Sequence, residues 1–189
     1  MWEPAPLEHV LGLFRNLAAP WWLSGGHALE LAVGQAYREH GDVDISVLRR
    51  DQLAARRLLA GWDPHVADPP GSLRPWPPDE VLPERAHDIW VREHPGGPWR
   101  FQLMLDEAEG EEWVYRRDPR IRRPLSTVAP GHRIAPEIQL LYKSRDPRPK
   151  DETDFTQVLP ILDATQRAWL AEALRTAHDS HPWRPRLLA

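Results

Sequence analysis

Two carboxylates separated by a single residue, Asp42 and Asp44, follow a glycine pair, Gly25 and Gly26, after an interval of fifteen residues. Residues 42–48 read as a strand, because Val43, Ile45 and Val47 alternate with Asp42, Asp44 and Ser46. Side chains two apart on a strand leave from one face. Both carboxylates would therefore offer hard oxygen ligands to one Mg²⁺, or to two Mg²⁺ ions shared with a triphosphate. The glycines stand where a short apolar strand, residues 21–24, gives way to a helical pattern over residues 27–39. Without side chains, they would let backbone N–H groups close on a phosphate at the start of a helix.

A metal pair of this kind calls for a third acid on a neighbouring strand. Residues 86–93 and 99–106 read as a hairpin turning at Pro95-Gly96-Gly97-Pro98. On its second strand Gln102, Met104 and Asp106 share one face, while Phe101, Leu103 and Leu105 share the other. Asp106 is the expected third acid. Glu107 and Glu109 are its alternatives, since a bulge at a strand end exchanges faces.

The elements that must position these residues follow from periodicity. Residues 6–18 carry Leu7, Val10, Leu11, Phe14 and Leu17 at helical spacing, with Pro6 in the first turn. Asp51 is placed to cap a helix over 52–60 that stops at Gly61. Residues 63–84 are proline-rich and read as irregular, and 112–123 as an extended basic segment. Two helical stretches close the chain, 135–145 and 151–179, the second interrupted near Pro160. The predicted class is α/β (α+β): a small mixed sheet flanked by helices, with a C-terminal helical part. The expected division is a core over residues 1–130 and a helical region over 131–189 packed on it.

Bulk composition narrows the chemistry. There is no cysteine among the 189 residues, which excludes disulfides, thiolate metal sites and cysteine nucleophiles. The nine histidines show no zinc-site spacing such as His-Glu-x-x-His. Net charge is −4 and the pI about 6.1, so the whole-molecule field does not favour nucleic acid. No apolar run approaches the ~18 residues of a membrane span, and the N-terminal MWEPAPLEHV lacks a basic leader. The expectation is a soluble cytoplasmic protein.

Plainer readings stand beside these. The glycines could form an ordinary turn, and the aspartates the wet face of an edge strand. Lys143 sits in an apolar helical stretch and could merely snorkel to water. Asp151 and Glu152 suit a helix start without any site. Arg116, Arg117, Arg120, Arg122 and Arg123 read as a solvated strand, or as contacts to triphosphate or RNA. Trp76, Trp90 and Trp113 are candidates for lining an acceptor pocket.

The combined pattern resembles the DNA polymerase β-type nucleotidyltransferase superfamily. Within it, the chain is most similar to the small aminoglycoside and lincosamide nucleotidyltransferases, the aminoglycoside 2''-adenylyltransferase type in particular. The resemblance rests on Trp22-Leu23-Ser24-Gly25-Gly26-His27-Ala28, on Arg38-Glu39-His40-Gly41-Asp42-Val43-Asp44-Ile45, and on Leu105-Asp106-Glu107. It continues through residues 136–143 (PEIQLLYK), Arg148-Pro149-Lys150-Asp151 and Asp154-Phe155.

That resemblance implies a nucleotidyltransferase core binding Mg²⁺, two ions in all, through Asp42, Asp44 and Asp106. Asp106 would also act as general base. Ser24, Gly25 and Gly26 would hold the triphosphate, and Arg38 or Lys143 would add positive charge. The implied reaction moves a nucleoside monophosphate, AMP from ATP first of all, onto a hydroxyl of a small molecule such as an aminoglycoside-like antibiotic, releasing pyrophosphate. The alternatives are transfer to tRNA or protein, as in toxin-type members, or a non-catalytic nucleotide-binding module. An acceptor cleft with Glu80, Glu84, Glu107, Glu109, Glu111 and Glu112 would favour cationic sugars.

Overall fold

In the computed structural model, which describes all of residues 1–189, seven helices accompany eight strands. The helices are α1 (Leu7–Phe14), α2 (Gly25–Val33), α3 (Gln52–Leu58), α4 (Pro136–Lys143), α5 (Pro149–Val158), α6 (Ala164–Ala177) and α7 (Trp183–Leu188). The strands are β1 (Trp21–Ser24), β2 (Asp44–Leu48), β3 (Asp63–Ala67), β4 (Leu73–Pro75), β5 (Asp88–Arg92), β6 (Phe101–Glu109), β7 (Glu112–Val114) and β8 (Arg122–Pro124). The chain divides into two compact units, residues 1–24 with 40–108 and residues 25–39 with 109–189. The class is the expected α+β.

In the first unit the sheet runs β1-β2-β6-β5-β3-β4. Every pairing along it is antiparallel except β2 with β6, which is parallel. One face is apolar: Leu23, Ile45, Val47, Phe101, Leu103, Leu105, Ile89, Val91 and Val66 are all buried. Phe14 of α1 meets this face, its ring 5.8 Å from Trp21 and edge-on to Phe101 at 5.8 Å, and Trp62 packs on Phe101 from 5.3 Å. The helical spacing of Leu7, Val10 and Phe14 thus delivers the side chains that close the core.

Two expectations about this unit are corrected. Residues 63–84 are not wholly irregular, because β3 and β4 lie within them. Pro64 is tolerated in β3 because of its register. It stands opposite Val91, whose carbonyl already accepts from Arg100 on the β6 side, so the backbone polar groups of Pro64 face away from β5. Its carbonyl there takes the N–H of Trp76, beyond the end of β4, and its missing N–H breaks no β3–β5 bond. Nor does Asp51 cap α3: a 3₁₀ turn, Arg49–Asp51, precedes the helix and the carboxylate makes no cap bond. The neighbouring Gln52 does the local work instead. Its buried amide donates to the Arg49 carbonyl at 3.0 Å and accepts from the Leu82 N–H at 2.6 Å.

The second unit holds α2, the β7–β8 hairpin and helices α4 to α7. The predicted single extended segment over 112–123 is this hairpin, with Glu112, Trp113 and Val114 opposite Pro124, Arg123 and Arg122. Helix α2 begins at Gly25 and ends at Val33, six residues short of the expected end. Gly34 stops it, in the left-handed region at φ +83°, its N–H still reaching the Glu30 carbonyl at 2.8 Å. After that stop, the Glu30 carboxylate accepts the N–H groups of Tyr37 and Arg38 and so fixes the connecting loop. The break near Pro160 is present as the turn Leu159–Ile161. Asp163 then opens α6 by accepting the Gln166 N–H while Gln166 reaches back to the Asp163 N–H. Phe155 and Trp183 stack at 4.4 Å and close the end of this unit.

A buried ion network ties these helices together. Lys143 donates to Asp151 and lies 2.9 Å from Asp154 as well, Arg38 grips Asp154 with two nitrogens, and Arg148 reaches Asp151. Burial alone would push the Asp151 carboxyl up, but the bonds from Arg148 and Lys143 outweigh it and hold the group at about 2. A carboxyl whose folded pKa lies below its ordinary value of 3.8 stabilises the fold above that value and loses the contribution as pH falls toward 2. Asp151→Asn should therefore cost roughly 2 kcal/mol at pH 7, and the gap to the parent protein should narrow by pH 3. Urea unfolding at pH 7, 5 and 3 checks this; a gap that stays constant with pH would count against the charged network.

Candidate active site

The register of the sheet places the expected acids relative to one another. Ser24 pairs with Asp44, Asp44 with Gln102, Gln102 with Trp90, and Trp90 with His65, forming one row across five strands. Directly opposed residues share a face, so these side chains leave on the side away from the apolar core. The next row holds Trp22, Ser46, Met104 and Asp88, and the row beyond it Leu48 and Asp106.

Asp42 precedes β2 by two residues, yet the Gln102 N–H donates to the Val43 carbonyl at 2.8 Å and extends the ladder past the strand's start. Burial alternates through the segment: Asp42 and Asp44 are half-buried, while Val43 and Ile45 are buried. The two carboxylates are therefore brought to one side of the chain, as their spacing predicts. They form a hard-oxygen pair at an accessible end of the sheet, a donor set that fits Mg²⁺. Ser24 adjoins Asp44, with its hydroxyl 2.8 Å from that of Ser46.

Asp106 is not brought to this pair. Four register positions separate it from Asp44, about 13 Å along the strands. It is also only 3% exposed, beside Leu48, where a small acceptor cannot reach it. The sequence shows which face Asp106 occupies but not its position along β2. That depends on the parallel offset of two strands more than fifty residues apart. Glu107, the alternative, is engaged elsewhere: Arg49 holds it at 2.6 Å and uses its other nitrogens on the carbonyls of Pro83, Glu84 and Ala86. Glu109 is bound by Arg122.

The residue that faces Asp44 on β6 is the neutral Gln102, and its amide donates to the carboxylate of Asp88 on β5. Asp88 and Gln102 are both half-buried. Neither was singled out from sequence as a functional group. The available signal was Asp88 at the start of the first hairpin strand, on the same face as Trp90.

In the second unit, the expected phosphate groups are largely committed to the protein itself. Gly25 adopts φ +69°, a left-handed conformation that requires glycine, and its N–H donates to the Gln139 side chain at 2.8 Å. Gly26 lies in the first turn of α2, where N–H groups have no intrahelical acceptor. Lys143 and Arg38 are corrected as sources of uncompensated charge. With Arg148 they face Asp151, Asp154 and Glu30, three cations against three anions. Burial works against the charge on Arg38, but its bond to Asp154 raises the pKa overall.

The basic stretch is likewise occupied. Arg120 pairs with Asp118, Arg122 with Glu109 and Arg123 with Glu137, while Arg116 and Arg117 lie over the Tyr142 ring at 5.4 and 5.6 Å. Among the tryptophans considered for an acceptor wall, Trp76 and Trp113 are core residues. Trp90 is half-buried beside Gln102 in a cluster with Trp2 and Trp99.

Known proteins resemble the chain in its fold and, over its first third, in sequence. Residues 6–66 match the family model for aminoglycoside-2''-adenylyltransferase, a span that includes β1, α2 and β2. No curated protein sequence matches the chain. Among solved structures, the lincosamide antibiotic adenylyltransferase LnuA in its lincomycin-bound form is 18% identical with a TM-score of 0.56, over 82% of this chain and 96% of that one. The solution structure of the antibiotic-resistance factor ANT(2'')-Ia is 16% identical with a TM-score of 0.56, over 89% of each chain. ANT(2'')-Ia in complex with adenylyl-2''-tobramycin is 15% identical with a TM-score of 0.53, over 89% of this chain and 95% of that one. The chain therefore has the fold of the antibiotic nucleotidyltransferases over most of its length, and its first third carries the sequence signature of the aminoglycoside 2''-adenylyltransferases.

Proposed function

We propose that the protein is a Mg²⁺-dependent nucleotidyltransferase that transfers AMP from ATP to a hydroxyl of a small, polar acceptor. The observation that carries this reading is the Asp42–Asp44 pair, displayed at the end of the sheet beside Ser24 on the fold of antibiotic adenylyltransferases. Asp42 and Asp44 would hold the metal, which supplies charge neutralisation to a bound triphosphate. Ser24, paired with Asp44 across β1 and β2, would orient the phosphate chain. The remaining contribution is positional, the acceptor oxygen being held in line with the α-phosphorus.

The acceptor class follows from two supports. Two of the structural neighbours were solved with lincomycin and with adenylyl-2''-tobramycin, a lincosamide and an adenylylated aminoglycoside. The arginines that would serve an RNA acceptor are spent on Asp118, Glu109, Glu137 and Tyr142. A small aminoglycoside- or lincosamide-like acceptor is favoured over tRNA for both reasons. No helix of the protein is long and apolar enough to cross a membrane.

Two measurements test the reading. Calorimetric titration with a non-hydrolysable ATP analogue should show Mg²⁺-dependent binding that is lost in the Asp42→Asn, Asp44→Asn double variant, with an unchanged far-UV spectrum. Equal affinity in parent and variant would remove the metal assignment. Second, incubation with α-labelled ATP and Mg²⁺ against tobramycin, lincomycin and total tRNA should move label into a small-molecule acceptor. Label entering RNA alone would reverse the order of the two acceptor classes.

A further inference from the structure

The polar face of the sheet is open only in part. On its β1 side Trp22, Ser24 and Ser46 are buried, whereas Gln102 and Met104 on β6, Trp90 on β5 and His65 on β3 are half-buried. The accessible part of this face, continuing from Asp44, is therefore the part over β6, β5 and β3. Trp90 stands in the same row as Asp44, two strands away, about 10 Å across the sheet. Its ring lies 5.0 Å from Trp2 and 5.6 Å from Trp99, and His65 meets Trp99 at 5.3 Å. Met104 stands diagonal to Trp90 across β5 and β6. The Trp90 indole N–H is covered, so the side chain does not present its polar atom. What continues outward from the acid pair is an aromatic shelf.

The acids near this shelf are largely matched by cations. Asp63 is held by Arg92 at 2.7 Å, and Arg92 itself lies over the Trp99 ring at 4.5 Å. Glu93 is 3.1 Å from Arg100. Of the acids that the sequence offers to a cationic sugar, Glu80 is gripped by Arg74, Glu107 by Arg49, and Glu109 and Glu112 by Arg122. Asp88, in the row next to Trp90, is engaged by the Gln102 amide. A polycation gives up the hydration of several ammonium groups on binding and needs several carboxylates in return. A molecule with one amine or none needs instead a surface for its apolar part, which Trp90, Trp2 and Met104 supply.

We infer that the acceptor lays an apolar face on Trp90, flanked by Trp2 and Met104, and that the site selects a hydroxylated molecule of low positive charge over a polycationic sugar. This inference rests on the nucleotidyltransferase reading and specifies its acceptor. The row divides the work: the Asp44 end takes metal and triphosphate, the Trp90 end takes the body of the acceptor, and the neutral Gln102 lies between them. One amine can rest on an indole face, whereas each further amine calls for a further carboxylate. Trp90 governs where the acceptor lies, so its loss acts on KM more than on kcat.

The test uses the full-length protein and α-labelled ATP with Mg²⁺ against two acceptors of contrasting charge. Lincomycin has a single basic amine and an apolar propyl chain; tobramycin carries amines on each of its rings. The parent protein should favour lincomycin in kcat/KM by at least about tenfold. Trp90→Ala should raise the KM for lincomycin about tenfold, with kcat and the Kd of a non-hydrolysable ATP analogue each within about threefold. Trp90→Phe, which keeps a ring against Trp2 and Trp99, should restore most of that loss. Met104→Glu sets a carboxylate on the shelf and should narrow the preference at least about fivefold. If Trp90→Ala does not fold, the parent's preference and the Met104→Glu ratio decide. A purely structural role for Trp90 would lower stability and leave this KM unchanged. Preference for tobramycin in the parent, an unchanged KM in folded Trp90→Ala, or no response to Met104→Glu overturns the inference. Failure of the underlying reading has a different signature: the parent transfers AMP to neither compound, and the inference falls with it.

Discussion

The parallel pairing of β2 on β6 is the constraint from which the site's chemistry follows. By setting Asp44 against Gln102 and Leu48 against Asp106, it determines which acids meet at the accessible end of the sheet and which are withdrawn into the interior. A shift of this offset by two residues would keep every side chain on its face and still replace Asp44's neighbour. The offset is set by packing on the other side of the sheet. Ile45, Val47, Leu103 and Leu105 interlock there in a fully buried layer under Phe14 and Trp62. The position of the polar groups is thus a consequence of how the apolar ones fit.

A second constraint is the neutralised ion network of the helical unit. Lys143 and Arg38 are both held by Asp154, so the two cations that the sequence offers as phosphate ligands act as struts. A buried pair of this kind is costly to break singly, because one charge is then left without its partner. The network links the loop after α2 to α4 and α5, and Glu30 holds the same loop from the other side. The chain's two lysines are therefore not equivalent: Lys143 is enclosed within this network, whereas Lys150 is exposed.

Much of this was legible in the sequence, for physical reasons that differ by element. Strand β1, the β2 alternation and the β5–β6 hairpin were readable because local period and turn residues specify them. The acid pair was readable because a two-residue spacing fixes a shared face. What the sequence did not reveal was long-range. Pro64 and Pro75 disguised β3 and β4, since only the register shows that the missing N–H of Pro64 breaks no β3–β5 bond. Gly34, which ends α2, was hidden within an otherwise apolar helical pattern. Asp106 was placed on its correct face but at the wrong end of the site. The bond from the Gln102 amide to Asp88 was equally hidden, since it joins residues fourteen apart on two strands.

The direct test of the metal and nucleotide assignment is a crystal structure with a non-hydrolysable ATP analogue and Mn²⁺, located by its anomalous signal. The predicted result is Mn²⁺ at about 2.0–2.2 Å from carboxylate oxygens of Asp42 and Asp44, with the triphosphate beside Ser24. Manganese bound elsewhere, or a nucleotide seated away from Asp42 and Asp44, would contradict it.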